Sequence, residues 1–523
     1  MKPLTVVTSY SSGHFFEKTL LSFAGSGLVE RVVIVEPHEQ SPREPTSHPG
    51  GATSRPADRG PSSAGVSQES VHFNMDKCHL LVTEPLPSHK TLSLILAEIR
   101  TKYLLLLLET QQISIGPKIL ERFLEVAEST KAGLVYSDFY DQSKHEKTLH
   151  PLNDYQLGSV RDDFDFGAMT LFSVHAVRKA LKKYGPIPEV KFAGLYDLRL
   201  KVSIDHSIYH LQEPLYTVIK SDEPLSKDKL FSYVDPKNRA VQKEMETVFT
   251  DYLKKIGAYL RPNFKEVGHA TESFPVEASV IIPVRNRKET IGEAMKSALS
   301  QEADFPFNII VVDNHSSDGT TAILTNLAKQ FPSLKHIVPE RDDLGIGGCW
   351  NEALQNKACG RFAVQLDSDD LYSNIHTLQK MVDMLRQRDY AMVVGSYALV
   401  DSRLEEIPPG LIDHREWTDE NGHNNALRIN GLGAPRAFDT HLMRNIGFLN
   451  VSYGEDYAAA LRICREYRIG RIYESLYLCR RWSGNTDATL SVEEANRNDA
   501  FKDKIRTGEI LARQKMAKER KAE

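Results

Sequence analysis

The chain has 523 residues, enough for two or more domains that each bury a core. Its hydrophobic content of 41% and charged content of 26% are ordinary for a globular protein, and its net charge of -5 gives no support to a nucleic-acid-binding function. The five cysteines are scattered without a Cys-x-x-Cys pair, which predicts a reducing compartment and excludes a disulfide framework or a structural zinc site.

No apolar segment is long enough to enter a membrane. The N-terminal run is too short for a signal peptide, and the most hydrophobic run, residues 103–108, is far below the roughly 20 residues that span a bilayer. We therefore expect a cytoplasmic protein with no transmembrane segment. Nothing in the sequence predicts its oligomeric state.

Residues 1–221 alternate between strand and helix patterns and predict an α/β domain. Strands are expected at 4–7 and 32–35 around a helix at 16–23, and the alternation resumes with strands at 80–82, 103–108 and 133–136 and helices at 91–100 and 117–129. Between them, residues 37–70 or so are rich in Pro, Ser, Gly, Arg and Glu and nearly lack large apolar side chains. Such a segment cannot bury enough surface to order itself, so we expect a disordered loop.

A charged helical connector is predicted over residues 222–275, followed by a second α/β domain over 276–490. Its expected strands are 279–284, 308–312, 362–366 and 391–395, with helices at 290–299 and 320–330. The tail, residues 491–523, is mostly polar and charged. This pattern is typical of a surface helix that frays at its end.

Three carboxylates follow the strand at 362–366 within four residues: Asp367, Asp369 and Asp370. Ligands of open α/β sheets bind outside the carboxyl ends of the strands, which is where these acids are expected. Like charges this close repel one another and favour a cation between them. A divalent metal that bridges the carboxylates to a diphosphate would supply that charge.

The two halves of the chain share parts of one sequence pattern, and this internal repeat predicts that one fold is present twice. The segment 167–178 matches 433–444 at identical spacing in Gly, Ala, Phe, His and Arg, and 211–216 matches 472–477. The acidic cluster is kept only in the second copy, because the first reads Glu109-Thr110-Gln111 where the second reads Asp367-Ser368-Asp369.

The second half resembles the family 2 glycosyltransferases over roughly residues 276–490. The matching motifs, in the family's order and spacing, are VIIPVRN (280–286), VVDNHSSDGT (311–320), Leu344-Gly345 with Asn351, GRFAVQLDSDD (360–370) and GED (454–456). The resemblance implies the GT-A fold, a Rossmann-like fold of nucleotide-diphospho-sugar transferases. It also implies transfer of a sugar from a nucleotide-sugar to a hydroxyl of a glycan or other acceptor, usually with inversion, as in polysaccharide or glycan biosynthesis.

The resemblance also implies a donor site. The residues expected to line it are Pro283, Asn286, Asp313, Asn351, Asp367, Arg480 and Arg481. Asp313 would contact the base, although an Asx turn or helix cap is the alternative for an acid in a Ser/Gly/Asp turn. The two arginines would neutralise the diphosphate.

The resemblance also implies which residues bind the metal ion and which residue acts as the general base. Asp369, with Asp367, would hold Mg²⁺ or Mn²⁺ against the diphosphate. Asp370 is expected to cap a helix or to support the two metal-binding acids. Many relatives place a histidine near Trp482, so the third protein ligand is left open. Asp456 would be the general base and Glu455 would bind the acceptor or orient the base, with capping of the following helix as the alternative.

The first half is predicted to be a degenerate GT-A-like copy that serves as a scaffold or acceptor-binding surface. The rival is a bifunctional enzyme whose second, metal-independent site uses Asp197 as base, with Glu109 as a possible single ligand. Asp163-Phe164-Asp165 also has the Asp-x-Asp pattern, but it does not follow a strand. We therefore treat it as a decoy that is not expected to bind a metal. A different class altogether, a non-catalytic carbohydrate-binding or assembly protein, also stays open.

Overall fold

The structure is a computed structural model. It describes residues 2–11, 14–37, 77–108, 112–116, 118–144, 146–219, 238–268, 273–387, 389–482, 484–485 and 490–522. The loop predicted at 37–70 lies outside the described residues from residue 38 onwards, and so does Glu109.

Within its described residues, the first half contains a nine-stranded mixed sheet and five helices. Its strands are β1 (Leu4–Ser9), β2 (Val29–Pro37), β3 (Cys78–Thr83), β4 (Tyr103–Leu107), β5 (Gln112–Ile115), β6 (Leu134–Gln142), β7 (Lys147–His150), β8 (Met169–Ser173) and β9 (Ile208–Ile219). Its helices are α1 (His14–Ala24), α2 (His89–Glu98), α3 (Ile119–Thr130), α4 (Val174–Tyr184) and α5 (Gly194–Asp205).

The connector contains α6 (Arg239–Ile256), and a second nine-stranded sheet follows. Its strands are β10 (Ala278–Val284), β11 (Phe307–Asp313), β12 (Leu334–Ile337), β13 (Phe362–Gln365), β14 (Leu371–Tyr372), β15 (Met392–Val400), β16 (Glu406–Ile412), β17 (Arg436–Asp439) and β18 (Ile469–Arg480). Its helices are α7 (Ile291–Leu299), α8 (Thr320–Gln330), α9 (Ile346–Gln355), α10 (Thr377–Arg386), α11 (Gly422–Asn425), α12 (Thr440–Ile446) and α13 (Glu455–Cys464), and the chain ends with α14 (Val492–Ala522).

The two sheets have the same topology. The first runs β3-β2-β1-β4-β8-β6-β9-β5 with β7 on β6, and the second runs β12-β11-β10-β13-β17-β15-β18-β14 with β16 on β15. Strand directions also correspond, with four parallel strands at one side and antiparallel β8 or β17 next to them. The predicted α/β class, with one fold present twice and a helix between the copies, is confirmed. The bounds of the four predicted segments stay predictions.

The register of the central strands decides where the functional residues lie. β10, β11 and β13 are parallel and almost wholly buried, as their continuous apolar runs predict. Val284 at the end of β10 is opposite Asp313, and Ile281 is opposite Gln365 at the end of β13. The turns that follow β10, β11 and β13 therefore meet at one edge of the second sheet.

The predicted surface helix at the C-terminus is a helix with exposed residues along it, but one of its faces is buried. Four charged side chains of α14 are buried, namely Asp503, Arg506, Glu509 and Arg513, together with Ile510. They pair with one another, since Arg506 contacts Asp503 at 2.8 Å and Arg513 contacts Glu509 at 2.8 Å. The polar composition was misleading because buried charges are tolerated when each is paired.

Within the described residues, no helix combines the length and apolar character that crossing a bilayer requires.

Candidate active site

The turn after β13 carries the predicted acidic cluster. Asp367 and Asp369 are partly exposed, whereas Asp370 is buried and its Oδ1 accepts a hydrogen bond from the Arg480 backbone N–H at 2.8 Å. Burial, and then the charges of Asp367 and Asp369, hold the pKa of Asp370 well above its usual value. Asp370 therefore ties the turn to the end of β18, which fits the supporting role expected of it.

Asp369 is contacted from two other segments. Its Oδ2 accepts hydrogen bonds from Trp482 Nε1 at 3.2 Å and from Asn485 Nδ2 at 3.4 Å, and Arg287 Nε lies 3.6 Å away. An indole N–H only donates and cannot bind a metal, so Trp482 does not supply the third ligand that the sequence leaves open.

Asp367 is held by its own strand. Gln365 Nε2 donates to both carboxylate oxygens at 3.0 Å, and the Asp367 backbone N–H donates to the Tyr477 hydroxyl at 2.9 Å. Burial raises the pKa of Asp367, and the nearby charges of Asp369 and Asp456 add to the rise. The charge of Asp456 reaches this turn, so the structure brings the two predicted acidic motifs together.

Asp456 lies in the first turn of α13. Its Oδ2 forms an ion pair with Arg436 Nη2 at 2.5 Å, and its Oδ1 accepts from the Tyr457 backbone N–H at 2.6 Å. Burial would raise the pKa of Asp456, but the charges of Arg436 and Lys502 outweigh it and keep the pKa below its usual value. The side chain is 29% exposed, so an incoming group can reach it.

Glu455 differs sharply from its neighbour. It is buried, and its Oε2 has no hydrogen-bond partner among the described residues. Burial, and then the Asp456 charge, raise the pKa of Glu455 to about 8. At neutral pH this carboxyl group is therefore mostly protonated and carries a hydroxyl that can donate a hydrogen bond.

Arg436 is the functional residue that the sequence reasoning missed. It begins β17, where its backbone N–H and Nη1 lie 3.2 and 3.3 Å from Gln365 Oε1, and it pairs with Asp456. The charges of Asp456, Asp367 and Glu455 raise its pKa against the effect of burial. Its signal was the Gly433-Ala434 match of the repeat, which points to the start of β17 but not to this particular arginine.

The predicted base-contacting residue, Asp313, is fully buried at the end of β11. Its Oδ1 accepts from the Ser316 N–H at 3.0 Å, and its Oδ2 accepts from the Thr321 hydroxyl at 2.6 Å and lies 3.3 Å from His336 Nε2. Burial would raise its pKa, but these hydrogen bonds outweigh it and lower the pKa. The Asx-turn alternative describes these contacts well, and contact with a base stays a prediction.

Asn286 and Pro283 belong to the same edge. Asn286 adopts a left-handed φ of 53°, and its Oδ1 accepts from the Ser317 N–H at 2.7 Å, which ties the turn after β10 to the turn after β11. Pro283 lies on β10 opposite Val312. Both residues thus shape the edge without any contact that identifies a ligand.

Asn351 and Arg480 have structural partners. Both ends of the Asn351 amide bond the backbone of Phe448, at 2.9 Å each, so Asn351 holds α9 to the segment after α12. Arg480 is buried and its Nη2 pairs with Glu293 at 2.5 Å, while its Nε has no hydrogen-bond partner among the described residues. The Arg481 backbone N–H donates to the Val400 backbone oxygen at 2.7 Å.

The donor set fits a divalent cation that arrives with a diphosphate. Among the described residues, no three His, Cys, Asp or Glu side chains are grouped to hold a metal by themselves. Mg²⁺, however, is usually held by one or two carboxylates with phosphate oxygens and waters completing its shell. Asp367 and Asp369 supply two such carboxylates, and their mutual repulsion is relieved by a cation.

The corresponding positions of the first copy are built differently. Asp197, which matches Asp456, is buried in an ion pair with Lys201 at 2.7 Å, and burial raises its pKa to about 6. The decoy acids have local partners, since Asp163 pairs with Arg161 at 3.0 Å and Asp165 accepts from the Gly167 N–H at 2.7 Å. A base at Asp197 is therefore not reachable in this structure.

The comparison with known families agrees with the motifs. Residues 279–444 match the family model described as glycosyl transferase family 2, which covers the second sheet from β10 to α12. This match confirms the resemblance of the second half to that family.

Two bacterial relatives give the range of similarity. An uncharacterized glycosyltransferase, YfnE, of Bacillus subtilis (strain 168) is 38% identical over 96 residues, which is 18% of this chain and 24% of that protein. The GalNAc(5)-diNAcBac-PP-undecaprenol beta-1,3-glucosyltransferase of Campylobacter jejuni is 35% identical over 121 residues, or 23% of this chain and 37% of that protein. The chain thus matches less than two fifths of the length of either relative.

Two solved glycosyltransferase structures are similar in part. S. aureus TarS 1-349 in complex with UDP-GlcNAc has a TM-score of 0.34 and 24% identity, covering 45% of this chain and 72% of that chain. The mannosyltransferase PcManGT from Pyrobaculum calidifontis, in complex with GDP-Man and Mn2+, has a TM-score of 0.32 and 18% identity, covering 54% and 86%.

Proposed function

We propose that the protein is an inverting, metal-dependent glycosyltransferase with one active site, in its second half. It would move a sugar from a nucleotide-sugar to a hydroxyl of a glycan or other acceptor. The observation that carries the proposal is the meeting of two acidic motifs at one edge of the second sheet: Asp367 and Asp369 after β13, and Asp456 linked to β13 through Arg436 and Gln365.

Asp456 is the proposed base. The cations beside it keep the carboxylate ionised at neutral pH, and its exposed fraction lets an acceptor approach. As the acceptor oxygen bonds to the anomeric carbon, its hydroxyl proton becomes acidic and passes to Asp456, while the bond from that carbon to the nucleoside diphosphate breaks. Attack from the face opposite the leaving group inverts the anomeric centre.

Glu455 is proposed to act as a hydrogen-bond donor beside the base. Because its carboxyl group is mostly protonated at neutral pH and its Oε2 lacks a partner, it suits an acceptor oxygen better than it suits a cation. Asp367 and Asp369 would hold the divalent ion, Mg²⁺ or Mn²⁺, which offsets the negative charge that grows on the leaving diphosphate.

The first copy is proposed to be a scaffold, not a second transferase. The ion pair of Asp197 with Lys201 supports this, because a buried and paired carboxylate is a poor base for a substrate hydroxyl. A cytoplasmic location is part of the proposal. The scattered cysteines, which include no Cys-x-x-Cys pair, support it.

The test is a screen of nucleotide-sugars for nucleotide release, with and without Mn²⁺ or Mg²⁺. Asp369→Ala is compared with Asp165→Ala, which removes the second acid of the decoy Asp-x-Asp. We expect release by the wild type and by Asp165→Ala, and a loss of at least about a hundredfold in Asp369→Ala. Release that persists in Asp369→Ala would reject the site, and no release with any donor and acceptor would favour a binding protein.

The anomeric configuration of the product tests inversion. NMR of the product from an α-linked donor should show a β-linked sugar. An α-linked product would reject Asp456 as the single base and indicate a retaining transferase.

A further inference from the structure

The C-terminal helix α14 packs against the residues on either side of the Glu455-Asp456 pair. Gly454, which precedes Glu455 and has a φ of 80°, is covered by α14: a Cβ at this position would lie 3.4 Å from Ile505 Cδ1 and 3.6 Å from both Lys502 Cγ and Phe501 Cδ1. The start of α13 is therefore packed against α14.

Lys502 is the side chain of α14 that reaches toward the base. Its Nζ donates to the backbone oxygen of Asn430 at 2.7 Å and lies 4.4 Å from the ring centre of Tyr453 and 5.7 Å from that of Tyr457. These rings flank the Glu455-Asp456 pair in sequence, and the Lys502 charge is near enough to lower the pKa of Asp456. Asp456 favours the charged form of Lys502, although burial lowers the pKa of Lys502 to about 8.

A second residue of α14 holds the same turn. Arg506 Nε donates to the Tyr457 hydroxyl at 3.0 Å, and its Nη2 donates to the Ile429 oxygen at 3.0 Å. Its Nη1 pairs with Asp503 at 2.8 Å. Every polar group of Arg506 is thus engaged, and all three contacts are buried, which is the condition under which such a network fixes geometry.

The other side of α14 is fastened to the first copy. Asp503 accepts from the Ser159 hydroxyl at 2.8 Å and pairs with Arg161 at 3.4 Å, and Arg161 also pairs with Asp499 at 3.2 Å. The Gly158 N–H donates to Thr507 at 2.9 Å. Residues 158–161 of the first copy therefore hold one face of the helix whose other face packs against the start of α13.

We propose that the first copy acts on the reaction through α14, with Lys502 as a positioning residue for Asp456. This inference rests on the proposed function of Asp456. On this inference the first copy needs no substrate of its own. It holds α14 in place, and α14 in turn holds Asp456 in position. Removing or displacing α14 leaves the donor site on β10, β11 and β13 in place, so donor binding and transfer should respond differently.

The charges around Asp456 determine what the loss of Lys502 does. The carboxylate faces Arg436 from β17, Lys502 from α14, Glu455 on its own helix, Asp367 after β13 and Tyr453 in the preceding segment. Arg436 and Lys502 are the two cations of this set. Removing one of them raises the pKa of Asp456, so the acidic limb of the pH–kcat profile moves to higher pH.

Gly158 offers a way to displace α14 without touching the active site. A Cβ at Gly158 would lie 2.0 Å from the Asp503 backbone oxygen and 2.5 Å from the Thr507 nitrogen, so Gly158→Ala forces the helix away from the first copy. Gly27, also in the first half, has no atom within 4 Å of its Cβ position. Gly27→Ala is therefore the matched control.

The experiment measures kcat, donor KM and the pH–kcat profile of the full chain. We expect Lys502→Met to lower kcat about tenfold to a hundredfold at unchanged donor KM and to shift the acidic limb to higher pH, with Lys502→Arg restoring most of the loss. Gly158→Ala should lower kcat in the same way while Gly27→Ala matches the wild type. Wild-type kcat and pH profile in both Lys502→Met and Gly158→Ala would overturn the inference.

Hydrogen–deuterium exchange provides a readout that does not need transfer activity. Amides at the start of α13 should exchange faster in Gly158→Ala than in Gly27→Ala, by about tenfold or more, because α14 no longer covers them. Equal protection in the two variants would overturn the inference. A wild type without any transfer activity but with this difference in exchange would reject the proposed function and leave the link between the first copy and α13 standing.

Discussion

Glu455 and Asp456 are adjacent on one helix, yet their surroundings shift their pKa values in opposite directions. Glu455 is buried next to a negative charge, so its pKa rises to about 8, whereas Asp456 has two cations beside it and stays ionised. Pairs of carboxyl groups separated in this way are typical of sites where one group donates a hydrogen bond and the other accepts a proton. The assignment of roles thus depends on Arg436 and Lys502.

The pKa of Glu455 predicts how stability depends on pH. Because the folded-state pKa is raised above that of the unfolded chain, the native state binds the extra proton between about pH 4.3 and pH 8. Its contribution is fully present below the unfolded pKa and is lost as pH rises through the folded value. Glu455→Gln, which mimics the protonated form, should reduce this loss by up to about 1.4 kcal/mol per pH unit.

Urea unfolding of wild type and Glu455→Gln at pH 6 and pH 9 measures this pH dependence of stability. The free energy of unfolding should fall less with pH in the variant. Parallel pH dependence of the two proteins would contradict the raised pKa of Glu455.

The positions of the individual acids could be predicted from the sequence, but the residues that contact them could not. Asp367, Asp369 and Asp456 stand in short motifs with a fixed place at strand and helix ends. Arg436 and Lys502 stand in no such motif, and their importance comes from three-dimensional contacts between β17, α14 and α13. Asn351 shows the opposite case, where a motif residue turns out to hold two backbone groups of Phe448.

Among the elements, some strands and helices of the second half were predicted closely. The expected strand 279–284 is Ala278–Val284, and the helix at 320–330 is Thr320–Gln330, because apolar runs and helical periodicity are local signals. The buried face of the helix expected at 491–523 was missed for the converse reason. Its environment is made by segments 150–162 and 423–465, which are distant in sequence.

The start of α9 shows how closely elements pack around the site. A Cβ at Gly347 would lie 1.9 Å from the Leu449 backbone oxygen and 2.9 Å from Glu455 Cβ. Gly347 therefore allows α9 to approach the segment before α13, and any larger residue must move the backbone.

We expect Gly347→Ala to lower the free energy of unfolding by about 1–3 kcal/mol, since overpacking against backbone forces a shift. Gly292→Ala in α7 is the control, because nothing lies within 4 Å of its Cβ position and alanine favours a helix by up to about 1 kcal/mol. Chemical denaturation compares the two. A Gly347→Ala variant as stable as Gly292→Ala would show that α9 is free to move.

At the scale of the whole molecule, α14 joins the two copies and the connector. Beyond its contacts to residues 158–161, Gln514 donates to the Ile256 oxygen at 2.8 Å and Arg513 donates to the His423 oxygen at 2.9 Å. Arg428, buried between the halves, pairs with Asp162 at 2.7 Å and bonds Gln242 at 2.8 Å. The segment around Arg428 thus contributes to the interface between the copies.

Breaking this network should destabilise the whole chain. Arg506→Met leaves Asp503 and the Ile429 oxygen buried with one partner fewer, so we expect a loss of about 3–5 kcal/mol in the free energy of unfolding. Lys518→Met, at an exposed position of the same helix, should stay within about 0.5 kcal/mol of the wild type.

Two probes separate local from global unfolding. All three tryptophans, Trp350, Trp417 and Trp482, lie in the second half, whereas circular dichroism reports both halves. If α14 couples the copies, the two probes give one midpoint in the wild type. Separate midpoints would mean that the copies unfold independently and that α14 does not join them.

The central claim, a single active site in the second copy, is tested most directly by the rate of sugar transfer in Asp456→Asn and Asp197→Asn, measured per folded molecule. These variants remove corresponding carboxylates of the two copies. The account predicts a loss of at least about a hundredfold in Asp456→Asn, because the base is gone, and a rate within about twofold of wild type in Asp197→Asn. A large loss in Asp197→Asn with transfer preserved in Asp456→Asn would place the chemistry in the first copy and contradict the account.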